Sequence, residues 1–254
     1  MTTAPTPTTG FAPMSTERKH ALAAGLFYLA TFAFSIPALA FYHDVLNDPA
    51  FVLQAGNDGG ILWGAAFEVI TGLTAIGTAV ALYPVIKRHG PSGAIGFVAS
   101  RTLEAAIITI GIIGLLAVYS LRQDFGGTDT VGLATTASAL VAVHDWSFLL
   151  GPGIMPAVNA LCLAPILYRA RLVPRALPVI GLVGAVALVA SSMATLFGAY
   201  DQVSSVATLT ALPIAAWEFS IGVYFTVKGF QRPAAADASP EPPVVERQLV
   251  GTGA

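Results

Sequence analysis

Four ionisable side chains stand inside long apolar runs of this chain: Glu68, Arg101, Glu104 and Glu218. Two of them occupy similar octets, AAFEVITG from Ala65 to Gly72 and AAWEFSIG from Ala215 to Gly222. A charge at the centre of a bilayer costs roughly 2.5–3.5 kcal/mol on insertion scales, so each calls for a partner or a wet cavity. Arg101 and Glu104 are three residues apart, a spacing that lets them pair on one helix face. The guanidinium fork has donors left to hold a second carboxylate bidentately, Glu218 or Glu68. Three carboxylates facing one guanidinium cannot all stay ionised cheaply in a low dielectric. At least one is therefore expected to carry a proton near neutral pH. The chemistry implied is proton coupling or cation binding, with Asn159 as the main uncharged polar companion. The bland alternative stays open: polar clusters in bundles also serve to fix which helices pack together.

The elements that must position these residues follow from hydropathy. The chain has 254 residues, 55% of them hydrophobic and 10% charged, against about 25% charged in a soluble domain; mean hydropathy is +0.74. A membrane helix needs roughly 20 apolar residues, and six segments qualify, near Ala21–Tyr42, Ile61–Ile86, Ala94–Leu121, Trp146–Tyr168, Leu177–Tyr200 and Val206–Phe230. Basic loops alternate with acidic ones. Arg18 and Lys19, Lys87 and Arg88, then Arg169, Arg171 and Arg175, then Lys228 and Arg232 fall on one side. Asp44, Asp48 and Asp58, then Asp124 and Asp129 with Arg122, then Asp201 fall on the other. The positive-inside rule then puts both termini in the cytoplasm, which six spans permit. The expected fold is all-α, a bundle of six transmembrane helices, as a multi-pass protein of the cell membrane. A signal-peptidase site at Ala38–Ala40 is the competing reading of span one. Its apolar run exceeds the roughly 7–15 residues of a signal core, so the span is expected to stay.

Helical rise places Arg101 and Glu218 about 10–18 Å above the inner surface, with Glu68 and Glu104 a few Å further out, so all four can meet in one layer. The face around Glu68 carries Gly64, Ala65, Thr71 and Gly72, and that around Glu218 carries Ala211, Ala215 and Gly222. Small residues let helices approach closely. The opposite faces hold Phe67, Ile70 and Leu73, or Trp217, Phe219 and Tyr224. Each glutamate is thus expected to look inward.

A second constellation is HDWSFLLGPGIMP, in which His144, Asp145 and Trp146 open span four at the outer face. Trp suits the interfacial belt and Asp a helix N-terminus; alternatively the three form a polar mouth over the cluster. Gly151, Pro152, Gly153 and Pro156 then interrupt the span. The preceding stretch GTDTVGLATTASALVAVHD is expected to form an amphipathic helix on the outer surface. Residues 1–17 and 233–254, rich in Pro, Ala, Thr and Ser, are expected to be disordered cytoplasmic tails around a transmembrane domain over 18–232.

Other chemistries find little to build on. The four histidines, His20, His43, His89 and His144, make no HExxH or paired-His motif, so no metal site is expected. No cofactor-binding or nucleophile-elbow pattern is present. Net charge is −2 with no basic block, which argues against nucleic acid. Cys162, the single cysteine, excludes an intramolecular disulfide.

Two stretches carry a resemblance. ASRTLEAAIITIG (Ala99 to Gly111) has an arginine-then-glutamate helix, and LAPILYRARLVPRALPVIGLVGAV (Leu163 to Val186) ends one helix in Tyr-Arg, turns through Val-Pro-Arg and starts a Gly-rich helix. With NDPA (Asn47 to Ala50), the chain resembles the bacterial membrane proteins grouped as domain of unknown function 4386. The resemblance implies a multi-pass membrane protein over most of residues 18–232 and supplies no substrate or catalytic residue.

The expected partner is therefore the lipid bilayer. The leading reading is small-solute or ion transport, or membrane sensing, with Glu68, Glu104 and Glu218 as proton or cation sites and Arg101 as counter-ion. The alternative is an accessory or scaffold subunit. An intramembrane enzyme ranks last, because no nucleophile–base pair is visible.

Overall fold

The computed structural model describes residues 14–48, 50–54, 58–123 and 129–231. The two tails expected at the ends, apart from residues 14–17, together with Asp124 and Arg232, lie outside the described residues. The described chain is all-helical: α1 (Thr16–Phe41), α2 (His43–Asn47), α3 (Gly59–Ile86), α4 (Pro91–Gln123), α5 (Thr130–Leu150), α6 (Met155–Arg169), α7 (Ala176–Leu196) and α8 (Ser205–Val227), with a 3-10 turn at Phe51–Leu53.

Six spans long and apolar enough to cross a membrane emerge: α1, α3, α4, the α5–α6 pair over Thr130–Arg169, α7 and α8. The protein is a multi-pass membrane protein. Its spans form a closed ring in which α1 packs on α3, α3 on α4, α4 on both α5 and α6, α6 on α7, α7 on α8, and α8 back on α1. The closure has a local cause. Gly25 of α1 and Gly222 of α8 face each other so closely that a Cβ on Gly25 would stand 2.7 Å from the Gly222 carbonyl oxygen.

The bundle has a basic and an acidic end. At the basic end Arg18 donates to the carbonyls of Phe225 (2.9 Å) and Thr226 (2.6 Å), satisfying the last turn of α8. Arg88 pairs with Glu17 at 3.2 Å. At the acidic end Arg122 pairs with Asp58 at 3.1 Å and lies 4.3 Å from the Phe51 ring centroid.

The fourth span departs from expectation. The stretch before Trp146 is not a separate surface helix, because α5 runs unbroken from Thr130 to Leu150 and stands antiparallel against the distal part of α4. Gly114 makes the approach possible: a Cβ there would lie 3.0 Å from the Leu140 carbonyl oxygen. At 33 residues, α4 is about 50 Å long, well beyond a hydrocarbon core of about 30 Å. Its surplus length is covered by α5 and by a small apolar cap of Val45, Val52, Leu115, Val118 and Ala137. The expected interruption is present, and the helix breaks over Gly151–Ile154 before α6 resumes with Pro156 in its first turn. Asp145 consequently sits near the end of α5 rather than at a helix start. The residue that caps the N-terminus of α5 is Asp129, whose side chain accepts from the Gly132 amide at 2.8 Å.

Candidate functional site

The centre of the ring holds a buried polar group drawn from three spans. Arg101 of α4 is 1% exposed. Its Nη1 donates to Glu104 Oε2 at 3.0 Å and its Nη2 to Glu218 Oε1 at 2.5 Å. The fork is therefore shared, one bond to each carboxylate, rather than spent bidentately on one. Since α4 and α8 are not neighbours in the ring, the bond to Glu218 crosses its interior.

Glu104 accepts a second bond at the same oxygen, from Asn159 Nδ2 at 2.7 Å, and Asn159 Oδ1 in turn accepts from the Ser100 hydroxyl at 2.6 Å. Asn159 is fully buried on α6. Aromatic rings close the group on its apolar sides: the Arg101 guanidinium carbon lies 5.1 Å from the Tyr28 ring centroid and 5.7 Å from that of Phe97. The fork carries its charge to carboxylates and the weakly hydrated faces lie on the rings, while Arg101 Nε has no hydrogen-bond partner among the described residues.

Glu68 is not in this group. Its Oε2 accepts from the Tyr42 hydroxyl at 3.0 Å. The Tyr42 ring meets the His144 ring edge-on at 5.5 Å, and His144 stacks on Phe148 at 6.3 Å. On α3, Gly72 lies against Ala105 while Ala65 packs with Ile108 and Ile112. Glu68 is thus level with about residue 108 of α4, roughly 10 Å above Arg101 at 1.5 Å per residue. The expectation that all four charges share one layer fails because antiparallel α3 and α4 register Glu68 two turns higher. The structure gives two stations instead.

The other expected residues separate by exposure. His144 is buried, whereas the Asp145 side chain is 58% exposed and Trp146 is 53% exposed. Trp217, assigned by its position to the outward face of α8, is fully buried against Gly181, because α7 covers that side of the helix. Phe219 on the same expected face is half-exposed.

Sequence reasoning missed Ser100, Tyr28 and Tyr42. Ser100 carried a usable signal, since it stands four residues before Glu104 and so shares its face. The two tyrosines did not, because an aromatic hydroxyl in a span reads equally as an interfacial anchor. Among the described residues no cluster of three or more His, Cys, Asp or Glu side chains could hold a metal ion.

No curated protein and no solved structure matches the chain. Its helix–turn–helix over α6 and α7 and its Arg-then-Glu helix α4 lie within residues 23–229, which match Domain of unknown function (DUF4386), and the chain belongs to that family.

Proposed function

We propose that this protein is a small transport or sensing protein of the cell membrane whose working step is proton or small-cation occupancy of the Glu104–Arg101–Glu218 group. The observation that carries the reading is charge balance. One guanidinium lies between two carboxylates at the buried centre of the ring, leaving one negative charge in excess where an uncompensated charge is expensive. A proton or a small cation removes that excess. Arg101 is then the fixed counter-ion, Glu104 and Glu218 the exchangeable pair, and Asn159 and Ser100 the groups that hold Glu104 in place. Both termini and the basic end face the cytoplasm on this reading.

Infrared difference spectroscopy of the protein in lipid tests it. A protonated-carboxyl C=O band that changes with pH and disappears in Glu104→Gln or Glu218→Gln is expected, together with a gradient-driven flux or ligand response that the same variants alter. No such band, with flux and ligand responses untouched, overturns the proposal.

The scaffold reading is favoured by one observation: both terminal guanidinium nitrogens of Arg101 are used, and Glu104 Oε2 accepts twice. A group paired at both terminal nitrogens, with Nε alone left without a partner among the described residues, can serve simply to lock α4, α6 and α8 in register. Stoichiometric co-purification of a partner from native membranes, with no proton uptake by the group, selects that alternative.

A further inference from the structure

The acidic end contains a cavity of about 700 Å³ between α1–α2 on one side and α5 with the α7–α8 connection on the other. That volume lies in the range of roughly 300–1,000 Å³ typical of small-molecule sites. Its wall has two characters. Ile36 and Leu39 of α1 and Phe148 of α5 supply apolar surface. Asp145 and Asp201 supply carboxylates, and no lysine or arginine lines it. Arg122, a cation at this end, is occupied by Asp58 and Phe51.

A further feature points to a ligand. His144 lines the same cavity while being 3% exposed, and its Nδ1 has no hydrogen-bond partner among the described residues. The nearby Asp145 Oδ1 stands 3.6 Å away, beyond hydrogen-bonding range. A buried ring nitrogen left open beside a cavity is costly unless something in the cavity meets it.

We infer that this cavity binds an amphiphilic ammonium, its cationic head between Asp145 and Asp201 and beside His144, and its apolar body along Ile36, Leu39 and Phe148. Sign disfavours an anion, since two carboxylates face no lysine or arginine and the second imidazole of the wall, His43, is already paired with Asp44 at 3.3 Å. The Phe148 ring adds a face that attracts ammonium groups. The unpartnered His144 Nδ1 calls for a hydrogen-bonding group in the cavity, which favours a primary or secondary ammonium, with its N–H groups, over a quaternary one. The head can belong to a free amine or to a lipid headgroup such as ethanolamine; the chemistry recognised is the same. The inference rests on the cavity and stands independently of proton or cation occupancy at the Arg101 group.

Calorimetric titration of the protein in nanodiscs of phosphatidylcholine and phosphatidylglycerol, with n-hexylammonium as the probe, tests it. Saturable binding is expected for hexylammonium and not for hexanoate or hexan-1-ol. Asp145→Asn and Asp201→Asn should each weaken it roughly tenfold, the loss of one charged contact. Asp129→Asn, at the far end of α5 where asparagine caps the helix equally well, should leave it unchanged. Asp145 is exposed, so these changes threaten the fold little. Replacing part of the phosphatidylcholine by phosphatidylethanolamine separates the sources: competition assigns the site to a lipid headgroup, and undiminished hexylammonium binding assigns it to a free amine. Equal responses to hexanoate or hexanol overturn the inference, as do equal losses in all three asparagine variants or full affinity in the double variant Asp145→Asn, Asp201→Asn.

Discussion

Removing Arg101 is the sharpest perturbation the central group allows. In Arg101→Gln, Glu104 and Glu218 lose the cation bonded to both of them at 3.0 and 2.5 Å. The site is closed by Tyr28, Phe97 and Asn159, so water offers little replacement. Breaking a buried ion pair by deleting one partner costs about 3–5 kcal/mol. At about 2–4 °C per kcal/mol for a chain of this size, the melting temperature should fall by roughly 6–20 °C. Volume loss contributes as well, because the guanidinium also packs on two rings, and a second variant separates the two terms. In the triple variant Arg101→Gln, Glu104→Gln, Glu218→Gln the packing loss remains but no charge is left unpaired. Neutral replacement of a buried ionic group is often near neutral in stability. The triple variant should therefore recover most of the drop. The assay is thermal unfolding in detergent or nanodiscs, followed by tryptophan fluorescence. Two results would refute the reasoning: a single variant melting within about 2 °C of wild type, or a triple variant as unstable as the single one. The first would mean that the carboxylates do not depend on Arg101, the second that its value lies in packing alone.

Three further outcomes follow from other parts of the structure. Gly184→Ala should lower stability by about 1–3 kcal/mol, since its Cβ would stand 2.6 Å from the Ile214 backbone nitrogen; Gly72→Ala, whose Cβ would meet Ala105 at an ordinary 3.6 Å, serves as the contrast in the same melting assay. Tyr42→Phe removes the donor to Glu68 and should cost about 1–2 kcal/mol, a loss that Tyr42→Phe combined with Glu68→Gln should not deepen in a double-mutant cycle. For orientation, a cysteine at Asp201 should react with a membrane-impermeant maleimide in intact cells, whereas one at His89 should react only after permeabilisation; the reverse pattern would invert the topology.

Much of this architecture was legible because bilayer solvation makes hydropathy nearly decisive for spans. The six apolar segments, the break at Gly151–Ile154 and the alternation of basic and acidic ends all follow from residue type along one chain. The Arg101–Glu104 bond was legible for the same reason, being local at i, i+3. What was not legible depends on register between helices. Nothing in the octet AAFEVITG says that α3 slides against α4 so as to lift Glu68 about two turns above Arg101. The similar octet AAWEFSIG brings Glu218 onto the guanidinium because Gly25 and Gly222 set the height of α8 against α1. Trp217 was misplaced for a related reason. A helix in a ring has two covered flanks, and small residues mark only one of them. The length of α5 was misread because Thr and Gly near its start lower the hydropathy of a segment that packs only one face, with Ala137, His144 and Ser147, on the bundle and leaves much of the rest exposed.

The separation into two stations bears on direction. On the proposed reading the central group carries an excess negative charge, and a cation that neutralises it must arrive from one end. The basic end presents Arg18, Lys87, Arg88, Arg169, Arg171 and Arg175 around the helix termini, a potential that repels cations over about a Debye length, roughly 8 Å in physiological salt. The acidic end presents Asp145 and Asp201 at a cavity whose Ile36 lies eight residues, about 12 Å, above Tyr28 on α1. Glu68, hydrogen-bonded to Tyr42, stands at an intermediate height. A descending series of acidic groups from cavity to centre, with the repelling charges on the far side, favours entry of protons or cations from the acidic end. Neutralising Glu68 alone should then slow proton arrival at the central group without changing how many protons it binds. Changing Glu104 or Glu218 should alter the number itself. That difference between a rate and a stoichiometry separates an access residue from an occupied site, and a scaffold would show neither.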